Sequence, residues 1–441
     1  MPTNLITPIL ATTLILLAST ITACHAQDTP NDWPKGIDPS TLLLNTEPEP
    51  DLSQPGFVNL FNGRDLTGWT VKGAQMPYHV DNGEIVGTCI PDLSPNAFLC
   101  TDQTYDNFIF TTEFKWDVYG NSGIMFRADT QPADANGVER VFGYQSEMEA
   151  TDRAWTGGIY GEVMGGWKFP LSREAGHAAA RAALKGPDVW NRMTIYASGN
   201  TIRTWVNGVP CAFLVDDDRS SGFFGLQVHS GPEGTVRWRN IKVKSIPAET
   251  TWTDLFQSGD FSQWTKVNGS PVSEKWSIED GIITRRGLKP GDIVTKTHYQ
   301  NFELLFDWKI TEAGNSGLKY RTRGSLGLEY QILDDAKHSD REDPTHRTAA
   351  LYDLKRPAHD KPIRPVGEWN NARILVQGDQ ITHYLNGQPV VEIQYGSEEW
   401  QTAFAKSKYS QHEGFGSWTG PILLQDHADQ VSFRNLLIRP L

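Results

Sequence analysis

Seven short blocks of this 441-residue chain occur twice, in one order, which constrains it to fold as two copies of one domain. Leu60–Trp69 (LFNGRDLTGW) returns as Leu255–Trp264 (LFQSGDFSQW), and Asn121–Arg127 (NSGIMFR) as Asn315–Arg321 (NSGLKYR). Gly158-Ile159-Tyr160 returns as Ala350-Leu351-Tyr352, Trp190-Asn191 as Trp369-Asn370, and Val206-Asn207-Gly208 as Leu385-Asn386-Gly387. Leu226–His229 and Arg239-Asn240-Ile241 return as Leu424–His427 and Arg434-Asn435-Leu436. Drifts in the spacing mark loop insertions. The first copy carries one between Tyr160 and Trp190, which includes the best helical stretch by propensity, Ser172 through Leu184. The second copy carries one between Asn386 and His427. Inserts of this kind lie on the surface of a β scaffold and shape binding rims.

Within each copy the local signals are strands. Phe108–Trp116 is aromatic and β-branched. Asn191–Trp205 reads as two strands joined at Ser198-Gly199-Asn200, and Asn207-Gly208 signals a further hairpin. The same pair of hairpins recurs over Ala372–Leu385. Short strands with turns every eight to twelve residues indicate an all-β sandwich or jelly roll, once over 56–247 and again over 250–441.

Composition narrows the function. Fifteen Trp and 13 Tyr are a rich supply of flat rings of the kind that stack on sugars. Forty basic against 53 acidic residues give a net charge of −13 with no basic run, which argues against a nucleic-acid partner. The N-terminus reads as a leader, 1–26, with an apolar stretch from about Ile9 to Ala23 that is too short for a membrane-spanning helix. Two processing readings compete: lipidation at Cys24 within Ile21-Thr22-Ala23-Cys24, or cleavage after Ala26. Either makes the protein exported, to the periplasm, the outer membrane or the exterior, and a lipid anchor at Cys24 would be its only membrane attachment. Residues 27–55, rich in Pro, Asp, Thr and Asn, read as a tether. Cys89 and Cys100 lie close enough in sequence to pair in an oxidising compartment; the alternative is that they and Cys211 are small buried hydrophobes.

Side chains two apart share a strand face. Met125 and Arg127 therefore point together, as do Lys319 and Arg321 in the second copy. Gln145 and Glu147 point together, with Glu149 beyond, matched by Glu329 and Gln331. Gln227 and His229 are matched by Gln425 and His427. Three strands per copy thus place polar pairs on one face, as a binding or catalytic cleft requires. A hydrogen-bonded structural network kept after duplication would produce the same pattern. No cofactor is called for. A divalent cation is open: Glu147, Asp334, Asp335, His229 and His427 are donors, without a short metal-binding spacing, and Asp216-Asp217-Asp218 offers oxygens to calcium.

At these motifs the chain resembles the DUF1080 family, also called the 3-keto-disaccharide hydrolase domain. The resemblance runs through LFNGRDLTGW, NSGIMFR, GYQSEME, RAWTGGIYGE, WNRMTI, VNG and RNIKV over about 57–245. It runs again through LFQSGDFSQW, NSGLKYR, LEYQILDD, TAALYD, EWNNARI, LNG, QDH and FRNLLIR over about 252–441. It implies two tandem concanavalin A-like jelly rolls and an activity on glycosides oxidised to a ketone at sugar C3. Such a ketone acidifies the C2 proton, so the chemistry needs a base, a cation or donor facing the enolate oxygen, and an acid for the leaving group. By resemblance, the first copy offers Glu147, His229 and Arg127. In the second, Gln331 replaces Glu147 and cannot act as a base, which leaves Glu329, Asp334 or His427, with Arg321 or Lys319 as cation. Gln145, Tyr160, Glu162 and Gln227, and Lys319, Gln331, Tyr352 and Gln425, would hold the sugar. LEYQILDD and QDH are closer to the usual family pattern than GYQSEME and QVH. A carbohydrate-binding protein without turnover is the alternative, since fold does not fix function.

Overall fold

The alternating pattern puts every strand among the described residues into antiparallel sheets whose inner faces are apolar. Phe108, Phe110 and Phe114 lie on one strand with no solvent exposure, and the residues between them are partly polar. The structure, a computed structural model, describes residues 33–132, 137, 139–172, 175–287 and 289–441. The leader with Cys24 lies outside the described residues, as do Arg173 and Glu174 of the first insert. Trp33–Ile37 belongs to a separate unit, in which Trp33 Nε1 donates to Ile37 O at 2.6 Å. Asp38–Leu441 forms one unit that contains both copies.

In the first copy an eight-stranded sheet is centred on Phe108–Val118, flanked by Asn191–Ser198 and Thr235–Ser245. It packs on a seven-stranded sheet ordered Gly166–Phe169, Ile159–Glu162, Arg140–Met148, Ser122–Gln131, Phe223–Val228, Ala97–Thr101 and Trp69–Gly73. The second copy repeats this with an eight-stranded sheet centred on Phe302–Ile310. Its partner has five strands: Trp264–Lys266, Ile293–Tyr299, Gly420–Leu424, Asn315–Arg323 and Leu326–Leu333. The chain passes back and forth between the two sheets of each sandwich, as in a jelly roll. The five-stranded sheet lacks the two edge strands of its counterpart; there Leu351 makes a single bridge to Tyr330.

The hairpin reading holds: Asn207 and Gly208, like Asn386 and Gly387, adopt the positive φ that a tight hairpin needs. The tryptophans serve the core more than a sugar. Trp205, Trp238, Trp276 and Trp308 are fully buried, each worth about 2–3 kcal/mol of burial. The expected long helix in the first insert is a short α-helix, Ala178–Arg181, preceded by one 3-10 turn that contains Gly176, a poor helix former. Cys89, Cys100 and Cys211 are buried free thiols, not a disulfide, and burial pushes the Cys211 thiol up to about 12.

The segment read as a tether departs most from expectation, because residues 38–49 form a strap across both copies. Arg434 binds the Ser40 hydroxyl (3.1 Å) and Asn435 donates to Thr41 O (2.9 Å) on the second copy. On the first, Asn45 donates to Thr204 O (3.1 Å), and Arg192 and Thr194 both bind Glu49, at 3.0 and 2.6 Å. Leu43 closes an apolar cluster made of Phe213 of the first copy and Trp252 and Leu305 of the second. Its polar residues are local in sequence, but their partners lie more than a hundred residues away.

Candidate functional site

The block NSGxxxR explains itself once the strands are paired. Ser122 Oγ donates to Gln227 O (2.7 Å) and Ser316 Oγ to Gln425 O (3.1 Å), tying adjacent strands together. Gly123 stands opposite Glu147, and Gly317 opposite Gln331. A Cβ on Gly123 would come within 2.4 Å of Gln145 Cδ, and one on Gly317 within 2.2 Å of Glu329 Oε1. The glycine therefore leaves space for a long polar side chain to lie across the sheet face. Asn121 Nδ2 donates to Glu147 Oε1 at 2.7 Å, and Asn315 Oδ1 accepts from Gln331 Nε2 at 3.4 Å.

Arg127 and Arg321 do not belong to this face, which corrects the strand-alternation reading. Each sits at a register break with φ near +48°, so its side chain leaves the alternating pattern. Arg127 donates to Asp106 O (2.8 and 2.9 Å), Gly199 O (2.8 Å) and Arg219 O (3.2 Å). Arg321 donates to Gln300 O, Gly416 O and Gly378 O at 2.8–2.9 Å. Both guanidiniums are consumed in fastening loops. Asp334 is likewise structural: it accepts from the backbone N–H of Ala313 (2.7 Å), Ala336 (2.9 Å) and Lys337 (3.2 Å).

What remains is a polar face on one sheet of each copy. In the first, Glu147, Gln145 and Gln227 are at most 3 % exposed. Burial drives the Glu147 carboxyl up to about 7, against the lowering effect of its hydrogen bonds and of Arg153. Gln145 Nε2 donates to Glu147 Oε2 at 3.1 Å, and Arg153 Nη2 lies 3.6 Å from Oε1. Arg153 is gripped by Glu149 and packs its guanidinium over Trp155 and Trp167, at 4.5 and 5.2 Å from the ring centres. Tyr160 faces Gln145 across the strands and meets Trp167 edge-on, 5.3 Å between centres; half-buried Glu162 follows, its carboxyl raised by burial. His229 is exposed, with Nδ1 at 2.6 Å from Ser230 O.

In the second copy the acid and the amide have changed places. Glu329 occupies the position of Gln145, and Gln331 that of Glu147. The cation moves with the acid: Lys319, which replaces Met125, lies 3.5 Å from Glu329 Oε2. Burial raises the Glu329 carboxyl, opposed by Lys319, Lys408 and His427. His427 is exposed and makes the smallest of these contributions. Tyr352 is stacked on His346 at 4.2 Å, with Lys408 Nζ 4.2 Å above its ring and 5.2 Å from that of Tyr409. Gln425 stands in the place of Gln227. Among the described residues, five amide atoms of the two faces are buried without a partner: Gln145 Oε1, both ends of Gln227, Gln331 Oε1 and Gln425 Oε1. Such orphaned groups are what sugar hydroxyls satisfy.

Asn121, Arg153, Lys408 and Tyr409 were not singled out from sequence. Asn121 and Arg153 stand in quoted motifs; Lys408 and Tyr409 lie in the second insert and carry no local signal. Cavities of about 530 Å³ beside Lys361, about 400 Å³ beside Tyr299 and about 360 Å³ beside Trp252 are lined by other residues. Among the described residues no group of three or more His, Cys, Asp or Glu side chains is gathered to hold a metal ion. Asp216 and Asp218 are engaged by Lys168, and Asp216 also by Tyr144. Asp335 pairs with Lys361 at 2.7 Å.

A polar, amide-lined face on a β-sandwich suits a carbohydrate ligand, and sequence comparison gives the class of protein. The chain matches the 3-keto-alpha-glucoside-1,2-lyase-like domain over 56–244 and again over 251–439, and it belongs to that family. It is 31% identical over 231 residues to a 3-keto-disaccharide hydrolase of Bacteroides thetaiotaomicron, covering 42% of this chain and 77% of that one. Two crystal structures from Parabacteroides distasonis, assigned to the glycosyl hydrolases, are 34% and 26% identical. Each covers 43% of this chain, and 94% and 100% of those chains, with TM-scores of 0.40 and 0.35. The protein is an enzyme of the carbohydrate hydrolase class.

Proposed function

We propose that the protein is exported and hydrolyses glycosides that carry a ketone at sugar C3, with Glu147 or Glu329 as the base. The observation that carries this reading is the buried carboxylate with raised pKa on the same sheet face of both copies, beside orphaned amides and a cation. A carboxylate of that kind holds a proton more strongly than an exposed one and suits proton abstraction near neutral pH.

The steps balance. The base takes the C2 proton, and the pair of electrons released forms an enolate whose oxygen, at C3, faces a cation. The enolate collapses: C3=O returns, C1=C2 forms, and the C1–O bond to the leaving group breaks. The departing oxygen gains a proton, for which His427 is the available donor in the second copy. Water then adds, oxygen to C1 and hydrogen to C2, for net hydrolysis. Tyr160 and Tyr352 flank the two faces as walls for the sugar ring.

The test is release of a chromogenic aglycone from a 3-keto-glucoside and from its unoxidised parent. The proposal expects release from the first alone; release from neither, with sugar binding retained, would sink it in favour of a binding protein.

A further inference from the structure

The two faces differ in a way that the shared reaction does not require. A general base needs a free lone pair in reach of the substrate proton. Glu147 already accepts on both oxygens, from Asn121 on one and Gln145 on the other, which leaves fewer lone pairs open and lowers its basicity. Its cation, Arg153, is committed to Glu149 through Nε (2.8 and 3.1 Å) and Nη2, and its flat face is covered by indoles. Neither partner can turn to a substrate without giving up buried bonds.

Glu329 is held otherwise. Among the described residues its carboxylate has no partner nearer than Lys319 Nζ at 3.5 Å. Lys408 has no carboxylate within ion-pair distance among the described residues, and it lies over two tyrosine rings on the solvent side of the face. The insert of the second copy delivers it. Ser397 caps the helix Glu398–Lys406, buried Trp400 anchors it, and the Lys408 N–H donates to Asp353 at 2.7 Å. An exposed ammonium on a fixed backbone, whose charge acts on a carboxylate with no partner nearer than Lys319, has the elements needed to meet a developing oxyanion. The first copy retains the other half of the design: Gln227 offers a buried, unpartnered donor and acceptor, and Gln145 a further acceptor.

We infer that the copies divide the work: the second turns the 3-keto-glycoside over, with Glu329 as base and Lys408 on the enolate oxygen, while the first holds a sugar without cleaving it. This rests on the hydrolase reading above. In the full-length protein, Glu329→Gln is expected to lower kcat at least 1,000-fold, with Glu329→Asp partly active as a check on folding. Lys408→Met is expected to lower kcat about 100-fold with KM within threefold, and Lys408→Arg to recover part of it. Calorimetric titration of the inactive Glu329→Gln variant with the 3-keto-glucoside should show two binding events, reduced to one when Glu147→Ala is added. If Glu147→Gln lowers kcat as far as Glu329→Gln, or if Glu329→Gln binds one sugar only, the division is wrong and the hydrolase reading stands. If the wild-type protein releases no aglycone, both fall.

Discussion

At the scale of single residues, the same side chain type takes opposite jobs according to its backbone. Glu147 is buried with its carboxyl raised from 4.5 to about 7, so the folded protein holds a proton there that the unfolded chain has lost. Its contribution is therefore fully favourable below pH 4.5 and is lost as pH rises to about 7, a penalty of up to about 3 kcal/mol. Glu147→Gln should flatten the decline in stability between pH 5 and 8 measured by urea denaturation; an unchanged slope would show that the shift lies elsewhere. Arg127 illustrates the reverse. Arg127→Met strands the carbonyls of Asp106, Gly199 and Arg219, and should destabilise the protein by about 2–4 kcal/mol with loss of activity tracking unfolding. Sequence alternation put Glu147, Gln145 and Gln227 on one face, because the strand period of two is local. It misplaced Arg127 and Arg321, because a bulge shifts the period and is invisible without the partner strand.

At the scale of elements, the sheets are the common frame and the inserts make the copies differ. The hairpins, the matched blocks and the two inserts were legible, since each is written in adjacent residues. Which insert reaches a site was not, because that depends on where the loop lands. Trp400 decides it for the second insert: it is 2 % exposed and packs against Tyr395, 4.8 Å between ring centres. Trp400→Ala should cost about 3–5 kcal/mol of local packing and expose residues 395–418 to limited proteolysis before the rest of the chain. Cleavage beginning elsewhere would mean that the insert is held by other contacts. The acid–amide exchange between Gln145/Glu147 and Glu329/Gln331 was visible as a mismatch, but the movement of the cation from Arg153 to Lys319 required the register.

At the scale of the whole molecule, one buried carboxylate ties the copies together. Glu303, 1 % exposed, pairs with Arg373 (2.6 Å) and Arg439 (2.7 Å) of its own copy, and Arg203 of the first copy adds its charge nearby. Burial would raise this carboxyl, yet the three arginines hold it below its ordinary value. Removing it by Glu303→Ala leaves those charges uncompensated and should cost about 3–5 kcal/mol. Calorimetry should then show the single melting transition expected of the wild type separate into two, one for each sandwich; a single transition shifted only slightly would show that the seam is held by Leu43, Trp252 and Leu305.

The strap over residues 38–49 extends that point to the gene. A boundary near residue 249 is easily read as the place to divide the chain, yet each half would keep one raw edge. The first would show Phe213, the second Trp252, Leu305 and the sites for Ser40 and Thr41, and only one half could own the strap. The duplication is no longer a pair of interchangeable parts. Any shuffling, truncation or transplant of one copy has to carry a stretch of sequence that precedes both.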